Sequence, residues 1–169
     1  MPVTLTDEQA EWMREELWRA AAESEPKVAG ALVGLMGPLG EPIYEAMGAL
    51  VTVGDRREVP VHLWMVRGEW FCDRAPREWA EERETRSACH VFAWAVAGML
   101  AWESVREVRL HFREEHRSDC LDGLRTALGR AIHEEQAKAI RQWLAAVERG
   151  ETTLTWTKEA EDEVREADR

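Results

Sequence analysis

Residues 59–72 contain the feature that constrains the fold most, a predicted β-hairpin that is apolar on both faces. Two apolar runs flank Arg67-Gly68, which fits a two-residue turn and pairs Val66 with Glu69. One face then carries Val61, Leu63, Met65, Trp70 and Cys72, and the other carries His62, Trp64, Val66 and Phe71. Both faces therefore need cover, from the rest of the chain or from another molecule.

Three helical segments are predicted before the hairpin. Thr6-Asp7-Glu8-Gln9 fits a capping box, which begins an acidic helix over about residues 6–24. A second helix over residues 27–36 follows Pro26 and ends at Gly37-Pro38. A third helical segment is predicted over about residues 42–51, because apolar side chains recur along it.

Two helices and a strand are predicted directly after the hairpin. A charged helix over residues 77–86 leads into a helix over 88–102 that is apolar all round, which is typical of a central position. Apolar and charged residues alternate over 105–113, which favours a half-exposed strand, with a helix as the alternative.

The C-terminal third is predicted to contain one long helix, a strand and a tail. The helix begins at Ser118 or Asp119, keeps an apolar face that includes Ile132, and runs to Arg149, where Gly150 ends it. A short strand is predicted over residues 151–156. The polar tail over about 157–169 is expected to fray.

The predicted order α-α-α-β-β-α-β-α-β indicates an α+β fold, with a small, mostly antiparallel sheet of about four strands covered by helices. A chain of 169 residues is expected to form one domain over residues 1–169 and to bury a core of its own. No internal repeat or linker divides the sequence.

The net charge of -11 is concentrated at the two ends of the chain. Residues 1–25 hold seven acids and two bases, and residues 151–169 hold seven acids and three bases. Direct binding of nucleic acid is not expected, because phosphates require an excess of Lys and Arg on one face. A basic protein partner suits this charge distribution.

Composition also bears on the compartment and the source. Three cysteines without framework spacing favour free thiols in a reducing cytoplasm. The sequence has no apolar stretch long enough for a membrane helix and no recognisable signal peptide at its first residues. The bias towards Arg and Ala suggests a GC-rich bacterial or bacteriophage genome.

Nine of the thirteen aromatic residues are Trp, more indole than a small core readily buries. Helical periodicity directs Trp12 outwards among Glu8, Glu15 and Glu16, the pattern of a protein-binding surface. The alternative is that the C-terminal tail folds back over Trp12. Trp64 would also face outwards if only one hairpin face is covered. Core packing is predicted for Trp94, Trp102 and Trp143.

One local group of residues suits a metal ion or thiol chemistry. His111, His116 and Cys120 fall at a strand end, a turn and a helix start, and zinc accepts imidazole and thiolate ligands. Cys72 or His62 would supply a fourth ligand. Alternatively, Cys120 at a helix N-terminus is a nucleophile with His116 as its base. Separate surface histidines and an ordinary buried cysteine explain the same residues.

Glu135 and Gln136 fall within or beside the apolar face of the predicted long helix. With His90 they would line a pocket in which Glu135 acts as a general acid or base. The favoured interpretation is a helix edge from which Glu135 reaches solvent, because charged side chains are rarely fully buried.

These features predict a non-enzymatic, acidic, tryptophan-rich interaction protein of the cytoplasm, with Trp12, Glu8, Glu15, Glu16 and Trp64 in its binding surface. One version is an inhibitor that competes for a basic nucleic-acid-binding surface; others are a subunit of a bacterial or phage assembly, or a homo-oligomer. No cofactor is expected. The alternative is a metal-dependent or thiol enzyme that uses His111, His116 and Cys120, with zinc as its ion and Glu135 as a further catalytic residue.

Overall fold

The computed structural model describes residues 4–72 and 87–158, and it forms an α+β domain around a five-stranded antiparallel sheet. The helix predicted over 77–86 and most of the predicted tail lie outside these residues. The strands are β1 Tyr44–Val53, β2 Arg57–Val66, β3 Glu69–Cys72, β4 Val105–Phe112 and β5 Thr153–Thr157. Their order in the sheet is β3-β2-β1-β4-β5. The sheet therefore has one strand more than predicted.

Five α-helices are present in the described residues. They are α1 Asp7–Glu23, α2 Pro26–Met36, α3 Ala88–Gly98, α4 Arg117–Gly129 and α5 Glu134–Glu148. The predicted capping box of α1 is confirmed, since Gln9 N–H donates to Thr6 Oγ1 and Thr6 N–H donates to Gln9 Oε1. The alternation over 105–113 correctly favoured a strand.

The predicted hairpin is confirmed together with its register. Val66 pairs with Glu69, and Leu63 pairs with Cys72. Arg67 and Gly68 both have positive φ, 52° and 84°, as the favoured two-residue hairpin turn requires. The local turn chemistry was therefore sufficient to place both strands.

The helical segment predicted over 42–51 is wrong, because this stretch forms the central strand β1. β1 pairs with β2 on one side and with β4 on the other. A short apolar run has the same composition in a buried strand and in a buried helix, so its partners in the fold decide between them. Those partners follow β1 in the sequence and lie far from it.

The single long helix predicted from residue 118 to 149 is also wrong, because the chain breaks between α4 and α5. At the break the buried side chain of Gln136 accepts a hydrogen bond from Ile132 N–H at 3.0 Å. Its amide donates to the carbonyl of Ala97 at 3.3 Å. Ile132, predicted on the apolar face, is exposed as a result.

The two faces of the sheet are covered by different helices. Helices α3, α4 and α5 pack on one face around a large core that includes Phe92, Leu110, Leu124, Ile140 and Leu154. Helices α1 and α2 cover the other face near β2 and β3, in a second cluster with Val33, Met36, Val66 and Phe71. Both faces of the hairpin are therefore covered within the chain.

Predicted core positions for tryptophan are confirmed in two of three cases. Trp94 and Trp143 are buried. Trp102 is 55% exposed, so its predicted burial is wrong. Helix α3 ends at Gly98, and after a short 3-10 turn Trp102 is in extended backbone beyond the packed helix.

Candidate functional site

The outer side of α1 presents an indole among carboxylates, and we call this surface the acidic α1 face: Glu8, Glu11, Trp12, Glu15 and Glu16. The indole of Trp12 is 64% exposed, and all four glutamates are exposed. Leu17 and Ala21 on the opposite side of α1 pack into the second core cluster. The predicted outward position of Trp12 is confirmed, and its role in binding stays a prediction.

Two of these glutamates already have cationic partners. Glu15 forms an ion pair with Arg67 at 2.9 Å, and Glu16 forms one with Arg19 at 2.8 Å. Within residues 4–72 and 87–158, neither Glu8 nor Glu11 forms an ion pair. The negative charge left for an incoming partner is therefore concentrated at the N-terminal side of Trp12.

Arg67 also connects α1 to the sheet through the buried side chain of Glu41. Its guanidinium donates from Nε to Glu41 Oε1 at 2.8 Å and from Nη2 to Oε2 at 3.0 Å. Arg14 of α1 approaches the same carboxylate at 3.6 Å. The hydrogen bonds from Arg67 lower the pKa of Glu41 below its usual value despite burial. These ion pairs therefore connect α1 to the turn between β2 and β3.

Trp64 occupies a different environment from Trp12. It is half-buried in the second core cluster, its ring stacks on His62 at 5.1 Å, and its edge lies over Gly34 of α2. Trp64 was predicted to face outwards only if one face of the hairpin were left uncovered. Helix α2 covers the face that carries Trp64, so this condition is not met. Its inclusion in a binding surface stays a prediction.

The structure brings His116 together with Cys89 and Asp119 rather than with His111 and Cys120. Cys89 lies in the first turn of α3, His116 in the 3-10 turn Glu114–His116, and Asp119 in the first turn of α4. One ligand atom from each of the three side chains lies within 4.8 Å of the other two. Cys89 is buried, whereas His116 and Asp119 are half-exposed. We call this group the Cys-His-Asp cluster.

A hydrogen-bonded chain orients the imidazole of His116. The hydroxyl of Tyr44 lies 2.8 Å from Glu115 Oε2 and 2.8 Å from His116 Nε2. Hydrogen bonding to Tyr44 lowers the pKa of Glu115, so its carboxylate is ionised and only accepts. Tyr44 therefore donates its single proton to Glu115 and accepts from Nε2–H of His116. In the neutral imidazole, Nδ1 of His116 then carries the lone pair.

The buried thiols lack the properties of a nucleophile. Burial raises the pKa of Cys120 to about 12, and burial together with the Asp119 carboxylate raises the pKa of Cys89 to about 12. A helix N-terminus favours a thiolate, but here the loss of solvation outweighs that effect. Burial therefore favours the thiol form of both groups at neutral pH and does not favour the predicted thiol chemistry of Cys120 with His116.

His111 lies on the opposite face of the sheet, next to Glu45 and His62. Nε2 of His111 and Nδ1 of His62 each lie 3.1 Å from the same oxygen, Oε1 of Glu45. Gly48 sits between the two histidines in the strand pairing and leaves room for these side chains. The structure thus separates His111 from both His116 and Cys120, because alternate residues of β4 point to opposite faces.

The predicted pocket of Glu135, Gln136 and His90 is brought together only in part. A pocket of about 380 Å³ is lined by Glu135 and Gln136 together with His133, Trp156 and others. His90 instead contacts Thr126 through Nε2 at 2.9 Å. Glu135 is exposed, as favoured.

Sequence patterns missed several residues around these sites: Tyr44, Glu45, Cys89 and Asp119. Tyr44 and Glu45 fell within a segment predicted to be helical. Cys89 and Asp119 are far apart in the sequence and meet only because α3 packs on α4. A Cys and an Asp, each in the first turn of a separate helix, give no recognisable spacing signal.

Comparison with known proteins adds nothing to the geometry. No protein-family model, curated protein or solved structure matches this chain. Within the described residues, none of the helices combines the length and the hydrophobicity needed to cross a bilayer. A functional proposal for this chain therefore depends on the chemistry of its own residues.

Proposed function

We propose that this chain is a non-enzymatic interaction protein that binds a basic segment of another protein on its acidic α1 face. The observation that supports this proposal is the indole of Trp12, 64% exposed and flanked by carboxylates on the outer side of α1. Trp is enriched at binding hot spots, because it covers a large area with few rotatable bonds.

Among residues 4–72 and 87–158, no core cluster gives a structural reason for an indole at Trp12. Helix α1 is fixed to the domain by Leu17 and Ala21 in the second core cluster and by the ion pairs of Arg14 and Glu15. Trp12 belongs to neither set. An Arg or Lys of a partner would stack on its ring through a cation–π contact. Glu8 and Glu11 would then neutralise further basic side chains.

The narrower versions of this function differ in the partner. Glu8, Glu11 and Glu15 follow one another along about 10 Å of helix, by the rise of 1.5 Å per residue. An inhibitor would present such a row of carboxylates where a basic surface otherwise receives phosphates. A bacterial or phage assembly, or a homo-oligomer, would use the same surface. A cytoplasmic location is supported by Cys72, Cys89 and Cys120, which are all buried and form no disulfide.

The experiment follows individual indole N–H signals of the ¹⁵N-labelled full chain by NMR during titration with a short oligo-arginine peptide. The expected result is a saturable shift of the Trp12 signal, with weaker binding as salt rises, because exposed charge pairs are screened. A glycine-serine peptide of equal length is the uncharged control.

A matched pair of variants assigns the effect to the acidic α1 face. Trp12→Ala with Glu8→Gln changes one exposed Trp and one exposed Glu, and Trp102→Ala with Glu103→Gln does the same elsewhere. The first variant should lose at least tenfold in affinity, and the second should bind like the unmodified chain. Equal losses in both variants, or no shift of the Trp12 signal, would overturn the proposal.

A further inference from the structure

We propose that the Cys-His-Asp cluster is a binding site for a zinc-type divalent metal ion, with one ligand atom each from Cys89, His116 and Asp119. This inference is independent of the acidic α1 face, since it concerns the opposite side of the sheet and a different class of ligand. It rests on the spacing of the three side chains, their chemistry and the hydrogen bonds behind them.

The spacing is close to that of a filled site. All three ligand atoms lie within 4.8 Å of one another. With zinc bonds of about 2.0–2.3 Å, two ligands of one tetrahedral ion lie about 3.3–3.6 Å apart. Movements of about 1 Å at the side-chain ends, within the range of rotamer adjustment, would close the remaining gap. Such movement needs no change in the packing of α3 on α4.

The ligand types select among metals. Thiolate sulfur and imidazole nitrogen suit zinc and related borderline ions, whereas magnesium and calcium prefer oxygen ligands only. Because Cys89 is a thiol in the metal-free chain, binding would replace its S–H bond by a sulfur–metal bond and release the proton to solvent on the half-exposed side of the cluster. A buried cysteine, an imidazole and a carboxylate together therefore favour a zinc-type ion. Because His116 and Asp119 are half-exposed, solvent reaches the cluster from their side. A bound ion would keep a water in its fourth position, the open arrangement of three protein ligands and one exchangeable ligand.

The hydrogen bonds behind His116 match those that support metal-binding histidines. Such histidines usually donate their second N–H to an oxygen acceptor, which fixes the tautomer and the ring orientation. His116 donates Nε2–H to the Tyr44 hydroxyl, which in turn donates to Glu115. Nδ1 is consequently the nitrogen that would bind a metal without disturbing this chain. Tyr44 and Glu115 act as positioning residues for the site.

The test titrates the reduced, chelator-treated full chain with Co²⁺ and then displaces cobalt with Zn²⁺. One equivalent of Co²⁺ should bind and give the thiolate-to-cobalt charge-transfer band, which Zn²⁺ then removes. Cys89→Ala should abolish the band, whereas Cys72→Ala and Cys120→Ala should keep it. A band that survives Cys89→Ala, or the absence of saturable binding, would overturn the proposal.

Variants at the half-exposed ligands keep the test decisive even if the buried Cys89 variant fails to fold. His116→Gln and Asp119→Asn should each weaken Zn²⁺ binding at least tenfold and remove the rise in Tm that zinc gives the unmodified chain. Tyr44→Phe should cost about 10–100-fold in affinity, the usual effect of an outer hydrogen-bond partner. The controls are His111→Gln and Asp122→Asn, which should bind zinc normally. Losses in the controls equal to those in the ligand variants would also refute the site.

Discussion

Gly123 of α4 packs against the main chain of His90 in α3, so closely that a Cβ on Gly123 would lie 2.3 Å from the His90 carbonyl oxygen. The two helices therefore approach at backbone distance at this point. One turn before Gly123 is Asp119, and immediately before His90 is Cys89. This single close contact thus brings two members of the Cys-His-Asp cluster together.

Gly123→Ala should destabilise the fold by about 1–3 kcal/mol or more, because the new methyl group meets a main-chain atom that cannot rotate away. Urea unfolding at neutral pH gives the measurement. Gly129→Ala is the matched control in the same helix, since a Cβ there meets no atom within 4 Å. The control should be neutral or slightly stabilising. Equal stability of the two variants would contradict the close helix contact.

Gly48→Ala should destabilise the fold less than Gly123→Ala, although the contact that its new Cβ would make is nearly as short. A Cβ on Gly48 would lie 2.5 Å from Oε1 of Glu45 and 2.5 Å from Cε1 of His111. These are ends of flexible side chains, so the free energy of unfolding should change by less than about 1 kcal/mol. The hydrogen bond between Glu45 and His111 should be lost. The ¹⁵N signals of the His111 ring would report that loss, and unchanged signals would contradict it.

The sequence was informative where structure is decided locally. The hairpin register followed from the Arg67-Gly68 turn, and the start of α1 followed from the capping box at Thr6. β1 was mistaken for a helix because its partners β2 and β4 lie elsewhere in the sequence. Residue types close together in the sequence therefore predict turns and helix caps. Pairing with distant strands decides whether an apolar run forms a strand, whatever its local preference for helix or strand.

The candidate sites divide in the same way. Trp12 was placed on the surface correctly, because the helical period alone fixes its direction. His116 was singled out, but its neighbours Cys89 and Asp119 depend on the packing of α3 on α4. The periodicity of a single helix or strand does not predict which residues of another element will pack next to it.

Gln136→Leu should destabilise the fold by about 1–3 kcal/mol, because it leaves two polar main-chain groups without their side-chain partner. Gln136 bridges the chain break before α5 to the end of α3, through Ile132 N–H and the Ala97 carbonyl. Gln142→Leu, at an exposed position of α5, is the control and should change stability by less than about 0.5 kcal/mol. Calorimetry of both variants would check this difference, and a stable Gln136→Leu variant would show that the bridge contributes little.

The buried carboxylate of Glu41 should make stability depend on pH in the acid range. Glu41 accepts two hydrogen bonds from Arg67 and lies 3.6 Å from Arg14, so Glu41→Gln should cost about 1.5–3 kcal/mol at pH 7. The pKa of Glu41 is lower in the folded chain than the unfolded value of about 4.3. A lowered folded pKa contributes stability that is complete above the unfolded value and is lost as pH falls through the folded one.

The difference in unfolding free energy between the unmodified chain and Glu41→Gln should therefore be constant from pH 7 to about pH 5 and shrink below about pH 4. Urea unfolding at a series of pH values measures it. Glu8→Gln, which changes an exposed acid of α1, is the control and should give a small difference throughout the same range. If the Glu41→Gln difference grew as the pH fell, the Glu41 carboxyl group would have to be protonated more readily in the folded chain than in the unfolded chain. Its ion pairs with Arg67 and Arg14 could then not be the source of the stability.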